Sequence, residues 1–293
     1  TREHGARVIL EGRNLSEAQA IAERLAVEEG LTLVHPFDDP LVIAGQGTLG
    51  LEILAALPAA DILVVPIGGG GLISGIAIAA KALKPDIVII GVQSKANPAM
   101  VHALQNTPST GLDHLTIAEG ISVKSPGLLT RQIVRDLIDD ILLVEEASIE
   151  HAIALLMSIE KTVVEGAGAA GVAAIIEHPQ PFSGATVVAP LCGGNIDLRV
   201  LSSLAMRELQ RNGQIVRFKV SISDQPGGLA AISTLLAEAG ANIIDVAHDR
   251  LSLSVNPRAT MIEFVVEVEN QQHGKAVADA LSNRGFSATI IQY

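Results

Sequence analysis

Tryptophan is absent from the 293 residues, and there is one tyrosine, one cysteine and only five phenylalanines. So thin an aromatic content removes the stacking platforms that hold single-stranded nucleic acid. The charge has the wrong sign as well. Twenty basic against 32 acidic residues leave a formal charge of −12, where a nucleic-acid surface needs a basic stripe. Cys192, being alone, can form neither an internal disulfide nor a multi-cysteine metal site, and it suits a reducing, cytoplasmic setting. Histidines are scattered (His35, His102, His114, His151) with no i,i+4 pair, so no metal site is expected. Uncharged runs of membrane-spanning length are also scarce. Residues 62–80 lack charge, but four consecutive glycines and Pro66 interrupt them, which argues for a strand, a loop and a helix start instead of a membrane span. The chain opens on Thr1, and its first residues do not read as a leader.

What remains is apolar and patterned. Hydrophobic residues make up 48% of the chain, and its length suits two domains of roughly 150 residues. Residues 6–10 and 31–35 read as short strands around a helix over 17–29 that Asn14 or Ser16 can cap. Near-continuous Val/Ile runs at 62–67 and 86–92, separated by a helical stretch at 72–83, predict a parallel sheet covered on both faces. Helices are expected over 128–137, 148–164, 168–177 and 198–212, and a strand over 185–191. The acids Asp136, Asp139, Asp140, Glu145 and Glu146 read as a solvated face. After Asn212-Gly213 the texture changes. Strands at 216–222, 241–249, 260–268 and 288–292 with helices at 228–239 and 274–284 give β-α-β-β-α-β, the ferredoxin-like order. The expected class is α/β: an open parallel sheet with helices on both faces over 1–212, then a small ferredoxin-like domain over 213–293.

Two glycine motifs compete for attention. Gly45-Gln-Gly-Thr-Leu-Gly50 spells the dinucleotide fingerprint, yet the following strand ends Pro66-Ile67-Gly68 without the carboxylate that would hold a ribose. The alternative is one helix over 39–57 with glycines at a close-packed crossing. Gly68, Gly69, Gly70 and Gly71 are different, because they join a buried strand to a helix that starts near Leu72. Converging backbone N–H groups and a helix N-terminus make an anion site there. No Gly-Lys-Ser/Thr follows, so a single phosphate monoester fits better than a triphosphate.

The series GQGT (45–48), PIGGGGLISG (66–75), VEGAGAAG (164–171) and LCGGN (191–195) resembles the pyridoxal-phosphate threonine dehydratases, which have the tryptophan-synthase-β type of fold. Asp224-Gln-Pro-Gly-Gly-Leu229, at the head of the β-α-β-β-α-β stretch, resembles an ACT domain. The resemblance implies pyridoxal 5'-phosphate as cofactor, its phosphate held by the amides of Gly68, Gly69, Gly70, Gly71 and Leu72. It places Cys192 beside the pyridine nitrogen and Gly120 and Glu165 near the ring, with capping of the following helix as the alternative role for Glu165. A neutral thiol there would leave the nitrogen largely unprotonated. The implied reaction is deamination of L-threonine, with L-serine as a second substrate, in a homo-oligomer that binds neither nucleic acid nor membrane. Asp224, Pro226, Gly227, Leu229 and Asn242 would take an amino-acid effector such as isoleucine or valine. The alternative is that the ACT domain only drives oligomerisation.

The sequence also departs from that family. Lys81, Lys84, Lys95, Lys124, Lys161, Lys219 and Lys275 are its lysines, and none stands in the Ser-Phe-Lys-like context of the Schiff-base lysine. The Ser-Gly-Asn-His motif is missing too. Both belong upstream of Thr1, so residues 1–36 read as the remainder of a small subdomain and 37–212 as the large one. The chain by itself is expected to be inactive. Glu119-Gly120 replaces the usual Asp-Gly, and Gln93 stands where metal-using serine racemases carry a glutamate, which leaves a poor divalent-metal ligand. A serine dehydratase or racemase is the nearest rival; a non-catalytic amino-acid-sensing subunit is the rival of another class.

Overall fold

The computed structural model describes residues 2–13, 15–108, 116–249 and 259–291. Contacts divide the chain into two compact units, residues 1–152 with 164–194 and residues 153–163 with 195–293. In the first part of the chain lie α1 (Leu15–Glu29), α2 (Pro40–Ala56), β1 (Ile62–Pro66), α3 (Gly71–Leu83), β2 (Val88–Ser94), α4 (Ala99–Gln105), α5 (Leu128–Leu137), β3 (Asp140–Val144), α6 (Glu146–Leu155), α7 (Gly166–Glu177) and β4 (Val187–Val188). Then follow α8 (Leu198–Arg211), β5 (Ile215–Ser223), α9 (Gly228–Glu238), β6 (Asn242–Asp249), β7 (Ala259–Glu267), α10 (Gln271–Asn283) and β8 (Ser287–Ile291).

The first unit is built on a parallel sheet of order β3-β2-β1-β4. All five residues of β1 are buried. Leu63 and Val65 share a core with Ile73, Ile76 and Ala77 of α3. Val64 meets α7 instead, where a β-carbon at Gly171 would stand 3.1 Å from the Val64 carbonyl oxygen. Neighbouring residues of a strand point to opposite faces, so α3 and α7 cover opposite sides, as the uninterrupted Val/Ile run requires. Each such side chain contributes about 1.5–3 kcal/mol on burial. The chain leaves β1 through α3 to β2 on one side, while β4 lies on the other. The strand order therefore switches between β1 and β4, the position beyond whose carboxyl ends sheets of this kind bind their ligands.

The fingerprint-like glycines lie inside α2, which Asp39 caps and Pro40 opens. A β-carbon at Gly47 would come 3.1 Å from the Gly75 carbonyl oxygen, and one at Gly50 would come 3.0 Å from that of Ile76. At Gly75 it would overlap the Ile43 carbonyl. The spacing is thus that of a helix crossing and not of a nucleotide turn.

Several expectations need correction. Residues 6–10 and 31–35 join no ladder among the described residues, because an isolated apolar run without a neighbouring strand cannot satisfy its backbone groups. The strand expected over 185–191 pairs only at Val187–Val188, and the helix over 148–164 ends at Leu155 in a π-type turn, Leu156–Glu160, that Lys161 closes at φ 56°. The structure adds α4 and β3, which the sequence pattern does not announce. The solvated acidic face is only partly so. Asp139 accepts the Ile89 N–H at 2.8 Å and pairs with Lys81 at 2.9 Å. Glu146 accepts from the hydroxyls of Ser94 (2.5 Å) and Thr116 (2.7 Å) and from the Ile117 N–H (2.8 Å). Both carboxylates are structural ties. As helix caps, Asn14 lies outside the described residues and the Ser16 side chain is not described.

The second unit carries an antiparallel sheet of order β6-β7-β5-β8, the ferredoxin-like arrangement. Phe218, Val220 and Ile222 of β5 and Ile262, Phe264 and Val266 of β7 alternate inward against Ile232 and Leu236 of α9 and Val277 and Leu281 of α10. Three of the five phenylalanines, Phe218, Phe264 and the partly buried Phe286, are spent on this one core.

The helix crossing yields a paired prediction. Gly75→Ala should cost about 1–3 kcal/mol through overpacking. Gly45→Ala, on an exposed helical position with nothing within 4 Å, should instead gain about 0.5–1 kcal/mol. Urea unfolding followed by circular dichroism reads both, and midpoint shifts of the same sign would contradict the crossing.

Candidate functional site

At the carboxyl end of β1, Ile67 still pairs, its N–H donating to the Val92 carbonyl at 2.8 Å. The next four residues are buried glycines. Gly70 takes φ 96°, a left-handed conformation, and opens α3 without a side-chain cap. Gly69 and Gly71 lie directly against Phe37, whose ring would overlap any β-carbon at Gly69. A β-carbon at Gly68 would come 3.0 Å from the Ile121 Cα and 3.2 Å from the Gly120 carbonyl oxygen. Among the described residues, no N–H from Gly68 to Leu72 donates to a protein acceptor. A buried donor left so costs about 1–3 kcal/mol. Adjoining unpaired amides at the positive end of a thirteen-residue helix form a cradle for an anion.

The loop after β4 supplies the other side of the set. Gly193 adopts φ 107°, and a β-carbon there would collide with the Glu165 carboxylate. The Glu165 N–H donates to the Gly193 carbonyl at 3.1 Å. Glu165 precedes α7 in the capping position, yet its side chain makes no capping hydrogen bond. The carboxylate lies instead between Gly193 and Gly120, with Oε1 3.2 Å from the place of a Gly120 β-carbon. Cys192 is half-buried, its carbonyl packs on Gly168, and burial pushes its thiol above the ordinary range. Gly68, Gly120, Glu165 and Gly193 thus touch in sequence, and Cys192 is joined through Gly193. Leu72 packs against the α3 core.

Sequence reasoning missed Thr130 and Asp38 and considered Gln93 only as a metal ligand, yet these three hold the loops. Gln93 is 1% exposed; its side-chain amide donates to the Ile67 carbonyl (3.1 Å) and accepts the N–H groups of Met100 and Val101 (3.1 Å each). Thr130, fully buried, donates its hydroxyl to the Gly69 carbonyl at 2.7 Å. Asp38 accepts three amides at the start of α5, from Leu128 (2.9 Å), Leu129 (3.0 Å) and Thr130 (3.0 Å). Only Asp38-Asp39-Pro40 carried a local signal, and that signal describes the cap of α2.

In the second unit, Asp224, Pro226, Gly227 and Leu229 form the turn from β5 into α9, with Gly227 at φ 92°. Asn242 begins β6, donating to Glu267 at 3.2 Å. Glu267 is also the partner of Ile215, so Asn242 stands level with the opposite end of β5. One copy of the chain does not bring Asn242 to the turn. Among the described residues, no group of three His, Cys, Asp or Glu could hold a metal. No helix there is long and apolar enough to cross a membrane.

Comparison with known proteins gives a coherent result. Residues 1–193 match the family described as pyridoxal-phosphate dependent enzyme, and residues 216–286 match the ACT domain. An L-threonine ammonia-lyase of Geobacter sulfurreducens is 42% identical over 297 aligned residues, covering 100% of this chain and 73% of that protein. A crystal structure of the T.th. threonine deaminase superposes with TM-score 0.62 at 39% identity, over 67% of this chain and 66% of that one. A maize serine racemase structure gives TM-score 0.63 at 33% identity, over 71% of this chain and 66% of that one.

The raised thiol supplies a pH prediction. At about pH 8 the folded chain holds less thiolate than the unfolded chain, so iodoacetamide should alkylate Cys192 several-fold more slowly in buffer than in denaturant. The two rates should converge as pH rises through the thiol's raised range. Mass spectrometry of the single cysteine reads the result, and equal rates at pH 8 would contradict it.

Proposed function

The chain belongs to the pyridoxal-phosphate-dependent enzymes and carries an ACT domain, and from that premise we propose that its reaction is deamination of L-threonine to 2-oxobutanoate and ammonia. The observation that carries this reading is the cradle itself: amides from Gly68 to Leu72, the four glycines buried, without acceptors among the described residues, at the switch point of a parallel sheet. A phosphate monoester satisfies several of those donors at once, so the residues present fit the cofactor. When bound, the cofactor supplies a conjugated ring that draws electron density from the substrate Cα. The amides hold its phosphate, Cys192 offers a neutral thiol to the ring nitrogen, and Gly120, Glu165 and Gly193 wall the ring. The thiol's raised range keeps it neutral near pH 7.

The proton-transferring lysine is not among the residues assigned. Lys81 pairs with Asp139, Lys84 with Asp61, and Lys95 with Glu145 and Glu177. Glu177 is held below the usual carboxylate range: desolvation would raise it, but the Glu145 N–H, Ser148 and Lys95 together outweigh that.

The ACT domain is the place for an amino-acid effector such as isoleucine or valine, at the turn from Asp224 to Leu229. Since Asn242 stands at the far end of β5, a homo-oligomer would be needed for both to share one ligand. Isoleucine synthesis and a cytoplasmic location complete this reading; the lone cysteine supports the latter. L-serine is the second substrate, and the likeness to a serine racemase favours keeping a serine-directed relative in view. Gln93 speaks against a metal-using racemase, since its amide is spent on three protein hydrogen bonds.

The test is keto-acid and ammonia release from L-threonine and L-serine with added cofactor, by this chain and by the product of its full reading frame. The reading expects 2-oxobutanoate from the full product and none from these 293 residues alone. Absence of turnover by the full product would favour an amino-acid-sensing subunit.

A further inference from the structure

A peptide unit is planar and trans, so its carbonyl and its N–H point in opposite directions. Whatever holds a carbonyl therefore aims the N–H of the next residue. Three carbonyls in and beside the glycine loop are held. That of Ile67 accepts from the Gln93 side chain at 3.1 Å. That of Gly69 accepts from the Thr130 hydroxyl at 2.7 Å and, more loosely, from the Gly127 N–H at 3.4 Å. That of Gly70 accepts the Ser74 N–H at 3.0 Å as the first bond of α3. The amides turned away from these clamps are those of Gly68, Gly70 and Gly71, all without an acceptor among the described residues.

We infer that Gln93 and Thr130 are positioning residues of the cradle, holding the Ile67 and Gly69 carbonyls so that the Gly68 and Gly70 amides converge on a phosphate. This rests on the phosphate reading above and deepens it. Thr130 is itself located from outside the loop, because its N–H donates to the Asp38 carboxylate at 3.0 Å along with two neighbouring amides of α5. Glycine is needed at 69 and 71 to admit Phe37, and that leaves the loop too pliant to fix its own peptide planes. The clamps supply what glycine lacks. The Gly70 carbonyl needs no such residue, since α3 holds it.

The experiment uses the full chain labelled with [15N]glycine, titrated with pyridoxal 5'-phosphate and, separately, with pyridoxal, which lacks the phosphate. In the unsubstituted chain the phosphate ester should move the Gly68, Gly70 and Gly71 amide signals, while pyridoxal should not. Thr130→Val keeps the shape but loses the donor, and should weaken the phosphate ester by about tenfold while leaving pyridoxal within about twofold. Thr130→Ser restores the hydroxyl and should recover most of the affinity. Thermal unfolding of both variants shows whether the fold has survived. Thr130→Val binding the phosphate ester as tightly as the unsubstituted chain would overturn the clamp and leave the phosphate reading standing. A loss shared equally by pyridoxal, or by Thr130→Ser, would assign Thr130 a purely structural role and overturn the inference. Failure of the unsubstituted chain to distinguish the two ligands would overturn the phosphate reading, and the clamp with it.

Discussion

Five successive backbone amides, Gly68 to Leu72, find no acceptor among the described residues, and much of the first unit is arranged around that deficit. Three of the nearby carbonyls, those of Ile67, Gly69 and Gly70, are committed to other donors. The amides cannot be hydrated freely, since the four glycines are buried. An arrangement that costs a few kcal/mol is maintained only where the surrounding core over-determines it. Here β1, α3 and the packed Phe37 do so. In the proposed function this deficit is what gives the loop its affinity for an anion.

Glycine serves two unrelated purposes in this chain. Along α2 and α3 it allows two helices to approach until backbone meets backbone, at Gly47, Gly50 and Gly75. At Gly70 and Gly193 it permits a positive φ that turns the chain at the mouth of the site. The same letter in the sequence therefore means packing in one place and chain reversal in another. Confusing them is what makes GQGTLG resemble a nucleotide motif. In the core of the second unit, alternating apolar residues on β5 and β7 meet two helices.

Much of the site was legible from the residues alone. Four glycines between a Val/Ile run and an apolar helix already specify a strand, a turn and an unpaired helix start, because these follow from spacing within a dozen residues. The ferredoxin-like order of the second unit was equally local, resting on period-two alternation and turn residues. Less legible were the short runs, 6–10 and 31–35, which have strand-like composition but no partner strand. The isolated pattern of β3 was hidden by the acids around it, two of which turn inward to tie backbone or hydroxyl groups.

The sequence by itself determined the parallel-sheet class, the place of the glycine loop between strand and helix and the nature of the second unit, since each depends on residues close together along the chain. Tertiary structure alone decided that β1 and β4 are neighbours, which puts Cys192 and Glu165 in the same connected set as the glycine loop. It alone decided that Gln93, Thr130 and Asp38 reach their targets across 26, 61 and 92 residues. The physical reason is the same in each case. A hydrogen bond between distant residues leaves no period or spacing in the sequence; it exists only once hydrophobic burial has brought the strands and helices together.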